Sequence, residues 1–207
     1  MEYASKNKIK HIEDEHDHDH EHDESSIKTF GFWVFLITDL ILFATLFATY
    51  TVLRTRYNGG PTGEELFEIP IFVAETFILL TSSFTSGLAT LGLKRKNPKI
   101  VIGWLIVTAI LGLAFIGLEI TEFTTLVEEG AAISTSAFLS AFYVLVGTHG
   151  IHVSAGIIWM ASTIIQIARY GITKDTEHKT YIVTLYWHFL DVVWIFIFTV
   201  VYLIGVM

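Results

Sequence analysis

Cysteine is absent from all 207 residues. Disulfides, thiolate metal sites and thiol nucleophiles are therefore excluded. Charge is scarce as well: Asp, Glu, Lys and Arg make up only 16% of the chain, against roughly 25% in a soluble domain. Several long runs contain almost no Lys or Arg. There is no His-Glu-x-x-His pair, no Gly-x-Ser-x-Gly elbow and no Gly-rich loop ending in Lys. Zincin, serine-hydrolase and phosphate-cradling chemistries are thereby set aside. What is present is apolar: 52% of residues are hydrophobic and 14% aromatic, with a mean hydropathy of +0.56. This balance excludes a soluble enzyme, a nucleic-acid binder and a disordered protein. It leaves a small polytopic membrane protein.

The formal net charge of −8 is mostly one tail, since eight of the 21 acidic residues lie between Glu13 and Glu24. Acids alternate there with His16, His18, His20 and His22. Residues 1–28 hold too little apolar surface to bury and are expected to form a disordered cytoplasmic tail. The tail lacks the apolar core and cleavage site of a secretory signal. His-rich tracts bind Zn, Ni or Cu weakly, but the plainer reading is a solvated acidic tail.

Five apolar segments follow, at about 30–53, 69–93, 100–122, 137–167 and 180–204. Each reaches the roughly 20 residues that span a bilayer. Only helices close their backbone hydrogen bonds within such a segment. The fold class is therefore all-α, a five-helix transmembrane bundle over residues 29–207. The fourth segment is overlong, so its inner end emerges from the bilayer. Asn58-Gly-Gly-Pro-Thr-Gly63, Lys94-Arg-Lys-Asn-Pro98, Gly130 and Gly171 break the chain between spans. With the N-terminus inside, 11 of the 13 Lys and Arg residues fall on the cytoplasmic side, leaving only Arg54 and Arg56 outside. The positive-inside bias thus predicts a cytoplasmic N-terminus and an external C-terminus.

Eight ionisable residues lie within or at the ends of these spans: Asp39, Glu75, Glu119, Glu122, His149, His152, His188 and Asp191. A charge at mid-bilayer costs about 2.5–3.5 kcal/mol on insertion scales. Such residues face the bundle interior, pair with one another or stay neutral. Glu119/Glu122, His149/His152 and His188/Asp191 are spaced i, i+3, which puts each pair on one helix face. Stripes of this kind on facing helices build carboxylate di-iron centres, but depth argues against a shared centre. Glu119 lies about 28 Å in from the inner side and His188 about 12 Å at 1.5 Å per residue. A hydrogen-bonded polar interior is the favoured reading over a metal or haem site. Glu119 and Glu122 lie near the outer end of their helix, within reach of water, and read most simply as an interfacial or helix-packing pair. Asp39 is deeper, with no partner on its own helix; a neutral form, or a bond to a His on a neighbouring helix, avoids the cost.

Gly147, Gly150 and Gly156 favour close backbone approach of the fourth helix. Tyr186, Trp187, Phe189, Trp194, Phe196 and Phe198 surround His188 and Asp191 in mid-span. An interfacial aromatic belt does not explain that position, and packing against another subunit is expected.

Four runs resemble one family. Leu185-Tyr-Trp-His-Phe-Leu-Asp-Val-Val-Trp-Ile-Phe196 is similar to the signature of subunit III of haem–copper respiratory oxidases. Gly147-Thr-His-Gly-Ile-His-Val153, Leu118-Glu-Ile-Thr-Glu-Phe123 and Gly31-Phe-Trp-Val-Phe-Leu-Ile-Thr-Asp-Leu-Ile-Leu-Phe43 resemble three more of its motifs, in family order. The resemblance covers residues 30–207. It implies a subunit of a terminal oxidase in the bacterial plasma membrane that holds no catalytic, cofactor or metal site of its own. Haem and copper would lie in the catalytic partner, subunit I. Subunit II, a small subunit IV and membrane phospholipid would be further partners, and nucleic acid none. The chain would stabilise the catalytic subunit and support proton uptake. Asp39 matches the family's buried, carbodiimide-reactive first-helix carboxylate, where many relatives have Glu. His149 and His152 match histidines near it, so a buried Asp39–His contact is the polar link that the resemblance implies.

Five spans rather than seven resemble the bacterial short form, found in quinol oxidases and some cytochrome c oxidases. The run from Glu129 to Phe138 resembles the menaquinol branch. Phe198-Thr-Val-Val-Tyr-Leu203 resembles the cytochrome c branch about equally well, and the balance leans to quinol. Two rivals come from other classes. A small proton-coupled transporter would use the buried Asp, Glu and His chains as a relay and predicts discontinuous, repeated helices. A metal- or haem-binding membrane enzyme would use His149, His152 and His188.

Overall fold

The computed structural model describes the backbone of residues 2–67 and 69–206, and the side chains of residues 27–67 and 69–206. Helix α1 runs Glu2–Leu53, and α2 is a single turn at Gly63–Leu66. Helices α3 (Ile69–Lys94), α4 (Pro98–Glu128), α5 (Ala137–Tyr170) and α6 (Lys174–Ile197) follow, and α6 passes into a π-helical turn at Phe198–Leu203. No strand occurs among the described residues. Among the described residues, five helices are long and apolar enough to cross a membrane: Ile27–Leu53, Ile69–Lys94, Pro98–Glu128, Ala137–Tyr170 and Lys174–Leu203. The chain forms two compact units, Met1–Asp39 and Leu40–Met207. The backbone of α1 is helical back to Glu2, ahead of the residue 28 boundary expected for a disordered tail. The expectation of a solvated tail rests on the composition of residues 1–28.

Local chemistry sets the other helix ends. The side chain of Asn97 accepts the amide of Lys99 at 3.2 Å, and Pro98 supplies a preset first-turn φ with no donor to waste. Ser136 accepts the amide of Leu139 at 3.1 Å to start α5. Gly171 ends α5 at φ +71°, a conformation that side chains with a Cβ resist. Thr173 and Thr176 cap α6 reciprocally, each side chain bonding the other's amide at 3.2 and 2.8 Å. These caps place α6 six residues earlier than the apolar run at 180 suggests. Likewise α4 continues to Glu128, beyond the expected end at 122. At 31 residues it is about 46 Å long, more than the roughly 30 Å hydrocarbon thickness.

Within the second unit α6 is the most enclosed span: more than half of its apolar window is buried, against about a third or less for the others. Trp187 and Trp194 are almost fully buried in this chain's own core. Of the aromatic cluster expected against another subunit, Tyr186, Trp187 and Trp194 pack inside this chain instead, while Phe196 is exposed. Lipid tails give no hydrophobic drive for helix association, so close van der Waals contact and interhelical hydrogen bonds hold the spans together. Gly112 and Gly156 make that contact possible. A Cβ at Gly112 would lie 2.6 Å from the Trp187 ring, and one at Gly156 would lie 3.2 Å from it. Thr180 and Thr184 close their hydroxyls onto carbonyls one turn back, at 2.7 and 2.8 Å, leaving no orphan donor.

Candidate functional site

The polar residues of the second unit fall into two tiers along α6. In the first, Trp187 donates its indole N–H to Ser82 Oγ at 2.9 Å, and Ser83 Oγ meets His188 Nδ1 at 2.7 Å. Asp191 lies beside Ser83 too, and one of its oxygens is buried with no hydrogen-bond partner. The i, i+3 spacing puts His188 and Asp191 on one face, as expected, yet both turn to the serine of α3 rather than to each other. A helix-wheel argument compares residues within one helix, so a serine on a neighbour carries no signal in it.

The second tier holds the acids. Glu119 and Glu122 are both buried, because α4 continues beyond them for another turn and a half. They pack inside the chain rather than at an interface. Glu119 lies against the backbone of Gly150: a Cβ there would be 2.6 Å from Oε1 and 2.7 Å from Oε2. Glu122 Oε2 accepts from the Tyr202 hydroxyl at 2.8 Å. Glu75, from α3, is fully buried, and neither of its oxygens has a hydrogen-bond partner. It lies within electrostatic reach of Glu122 and Glu119. Tyr202 has no sequence signal of its own. The π-helical turn that contains it inserts an extra residue per turn and so resets which side chain faces α4.

His149 is fully buried, stacked on Trp194 at 5.4 Å with Phe115 edge-on at 5.9 Å. Neither ring nitrogen has a hydrogen-bond partner among the described residues. His152 is half-buried, and its Nδ1 meets the Thr148 carbonyl at 2.7 Å. His149 and His152 share a helix but not a polar environment. Phe43 touches both rings, at 6.3 and 5.2 Å. Asp39 is the last residue of the first unit, and its link to these histidines stays the expectation that the resemblance supplied. His16, His18, His20 and His22 lie outside the described side chains.

The described residues offer no ligand set that fits a haem or copper ion. No group of three or more His, Asp or Glu side chains among those described is placed to hold a metal. One ring nitrogen each of His152 and His188 is engaged by a protein oxygen, and His149 is walled by aromatic rings. The arrangement instead defines a multi-pass membrane protein whose spans are joined by buried carboxyl, hydroxyl and indole groups.

Comparison with known proteins narrows that class. The family model described as cytochrome c oxidase subunit III matches residues 4–206, so the match reaches back beyond the first signature run at residue 31. The chain is 54% identical over 175 residues to quinol oxidase subunit 3 of Bacillus subtilis, covering 84% of this chain and 86% of the relative. It is 50% identical over 200 residues to cytochrome bo(3) ubiquinol oxidase subunit 3 of Pseudomonas aeruginosa, covering 95% and 96%. It is also 50% identical over 182 residues to cytochrome c oxidase subunit 3 of Bacillus sp. strain PS3, covering 88% of each. The chain belongs to the cytochrome c oxidase subunit III family. It is a multi-pass plasma-membrane subunit of a bacterial terminal oxidase complex.

Proposed function

We propose that this chain is the non-redox subunit III of a proton-pumping quinol oxidase. It stabilises the catalytic subunit and holds membrane phospholipid. The identity to the quinol oxidase subunit of Bacillus subtilis carries this reading. Haem and copper belong, on this reading, to subunit I, with subunit II and a small subunit IV completing the complex. The exposed apolar faces of the spans, such as Phe77 and Phe84 on α3 and Ile151 and Ile158 on α5, supply lipid and subunit contact. The N-terminus lies in the cytoplasm, in keeping with the 11-to-2 distribution of Lys and Arg.

Cytochrome c oxidase is the second reading, supported by the relative from Bacillus sp. strain PS3. The decisive experiment purifies the tagged chain from its own membranes in mild detergent and records an optical spectrum. A haem spectrum with a large partner is expected, and oxygen uptake on quinol without cytochrome c. Uptake only with cytochrome c moves the complex to the other branch. A colourless, partner-free protein rejects the subunit reading and favours a transporter.

A further inference from the structure

Three carboxyl side chains converge in the second tier without a countercharge. Glu75 stands on α3 within electrostatic reach of the Glu119/Glu122 pair of α4, one turn from Phe72, whose ring packs on Tyr202 at 5.1 Å; its own two oxygens are fully buried and unpartnered. The Tyr202 hydroxyl lies within electrostatic reach of all three carboxyls but bonds only Glu122. The neighbouring helices add neutral or acidic groups, and the two cations of the same face, Arg54 and Arg56, stand in the loop after α1 without an ion pair to the cluster among the described residues. From α5 come His149, enclosed by rings, and Tyr143, whose hydroxyl is donated to the Ala131 carbonyl at 3.0 Å. From α3 comes Thr76, committed to Trp194. At the end of α4 stand the exposed Glu128 and Glu129, and on α2 the exposed Glu64 and Glu65. No described Lys or Arg pairs with the cluster. Neighbouring carboxyls in a buried site resist ionising together.

A cleft also reaches the cluster. Glu122 lines a cleft together with Leu66, Ile71, Leu118, Thr121, Thr125 and Glu129. Residues 118, 121, 122, 125 and 129 recur at helical spacing, so the cleft follows α4 from exposed Glu129 to buried Glu122. Glu122 is thus the one acid that touches both the cleft and the tyrosine.

We propose that Glu75, Glu119, Glu122 and Tyr202 form a proton-holding site that exchanges with water through this cleft, at the membrane face carrying the loops around residues 54–62 and 129–136. The ligand is a proton delivered as hydronium: one carboxylate oxygen gains the proton, water is released, and charge balances without an added ion. Glu122 receives the proton, and Glu119 and Glu75 share it with Glu122 deeper in the bundle. The site lies a tier away from His188 and Asp191. It goes beyond the subunit assignment, which the haem content of the purified complex reports independently.

The test is infrared spectroscopy of the intact, haem-containing complex, following protonated carboxyl carbonyl bands during transfer from H2O to D2O. The wild type is expected to show such bands at neutral pH, shifting in D2O. Glu75→Gln, Glu119→Gln and Glu122→Gln are each expected to lose band intensity. Thr125→Trp, which fills the cleft from an exposed position, is expected to keep the bands and slow their exchange. That variant tests the proposal even if an acid-to-amide variant fails to assemble. Bands unchanged in all three Gln variants overturn it, as does exchange unaffected by Thr125→Trp. Bands that appear in the wild type only after a metal chelator is added also overturn it, because the countercharge is then a bound cation.

Discussion

The carboxyl of Glu119 occupies the space that a side chain at Gly150 would fill, since a Cβ there would meet Oε1 at 2.6 Å. A glycine in the middle of a 34-residue helix costs helix stability relative to alanine by about 1 kcal/mol in water. Here it gives α4 room to bring an acid against the α5 backbone.

Gly150→Ala is therefore expected to displace Glu119 and destabilise the complex by about 1–3 kcal/mol, the usual penalty of overpacking. Gly147→Ala on the same helix is the control, because its Cβ would meet only Phe123 at an ordinary 3.7 Å. Thermal unfolding of the two purified complexes checks the difference. Equal melting temperatures would show that Glu119 moves aside freely.

Trp187 fills the space left by Gly112 and Gly156 and bonds Ser82. Membrane interhelical hydrogen bonds average about 0.6 kcal/mol, whereas truncating a buried Trp to Ala costs about 3–5 kcal/mol. Ser82→Ala should thus be nearly silent and Trp187→Ala severe. Complex yield and melting temperature measured side by side rank the two.

Ser83 serves both His188 and Asp191. Ser83→Ala is expected to cost about 0.6–1.7 kcal/mol, the span between the mean and the largest such bonds measured in a membrane protein. If His188 and Asp191 both depend on Ser83, adding Asp191→Ala to Ser83→Ala costs less than the sum of the single changes. A double-mutant cycle on melting temperature reads this directly; strict additivity would show that Asp191 acts elsewhere.

Asp39→Asn is expected to retain the assembled, haem-containing complex, because the amide keeps the side chain's size and avoids the roughly 2.5–3.5 kcal/mol cost of a charge at mid-bilayer. Loss of the complex in this variant would mean that a carboxyl is required there, for a charge or for bonds an amide does not accept.

The polar pairs are legible in the sequence, and their partners are not. The i, i+3 spacing of Glu119 with Glu122 and of His188 with Asp191 places each pair on one face, and their different depths keep the two pairs apart. Both follow from helix geometry alone. Ser83, by contrast, reads as one small polar residue among several on α3, and Tyr202 as one aromatic among many. Glu122 looks like a helix end because hydropathy falls there, while the backbone carries helix on to Glu128.

The number of spans follows from sequence alone, because hydropathy adds up locally and a backbone in lipid must close its own hydrogen bonds. The family follows as well, through runs such as Gly147–Val153 and Leu185–Phe196. Which polar group meets which is a property of the packed helices. It depends on the rotation and depth of each helix against its neighbours, and on a π-helical turn that resets the facing residue near the end of the last span. None of these is a sum over local sequence; each is settled only when the helices pack.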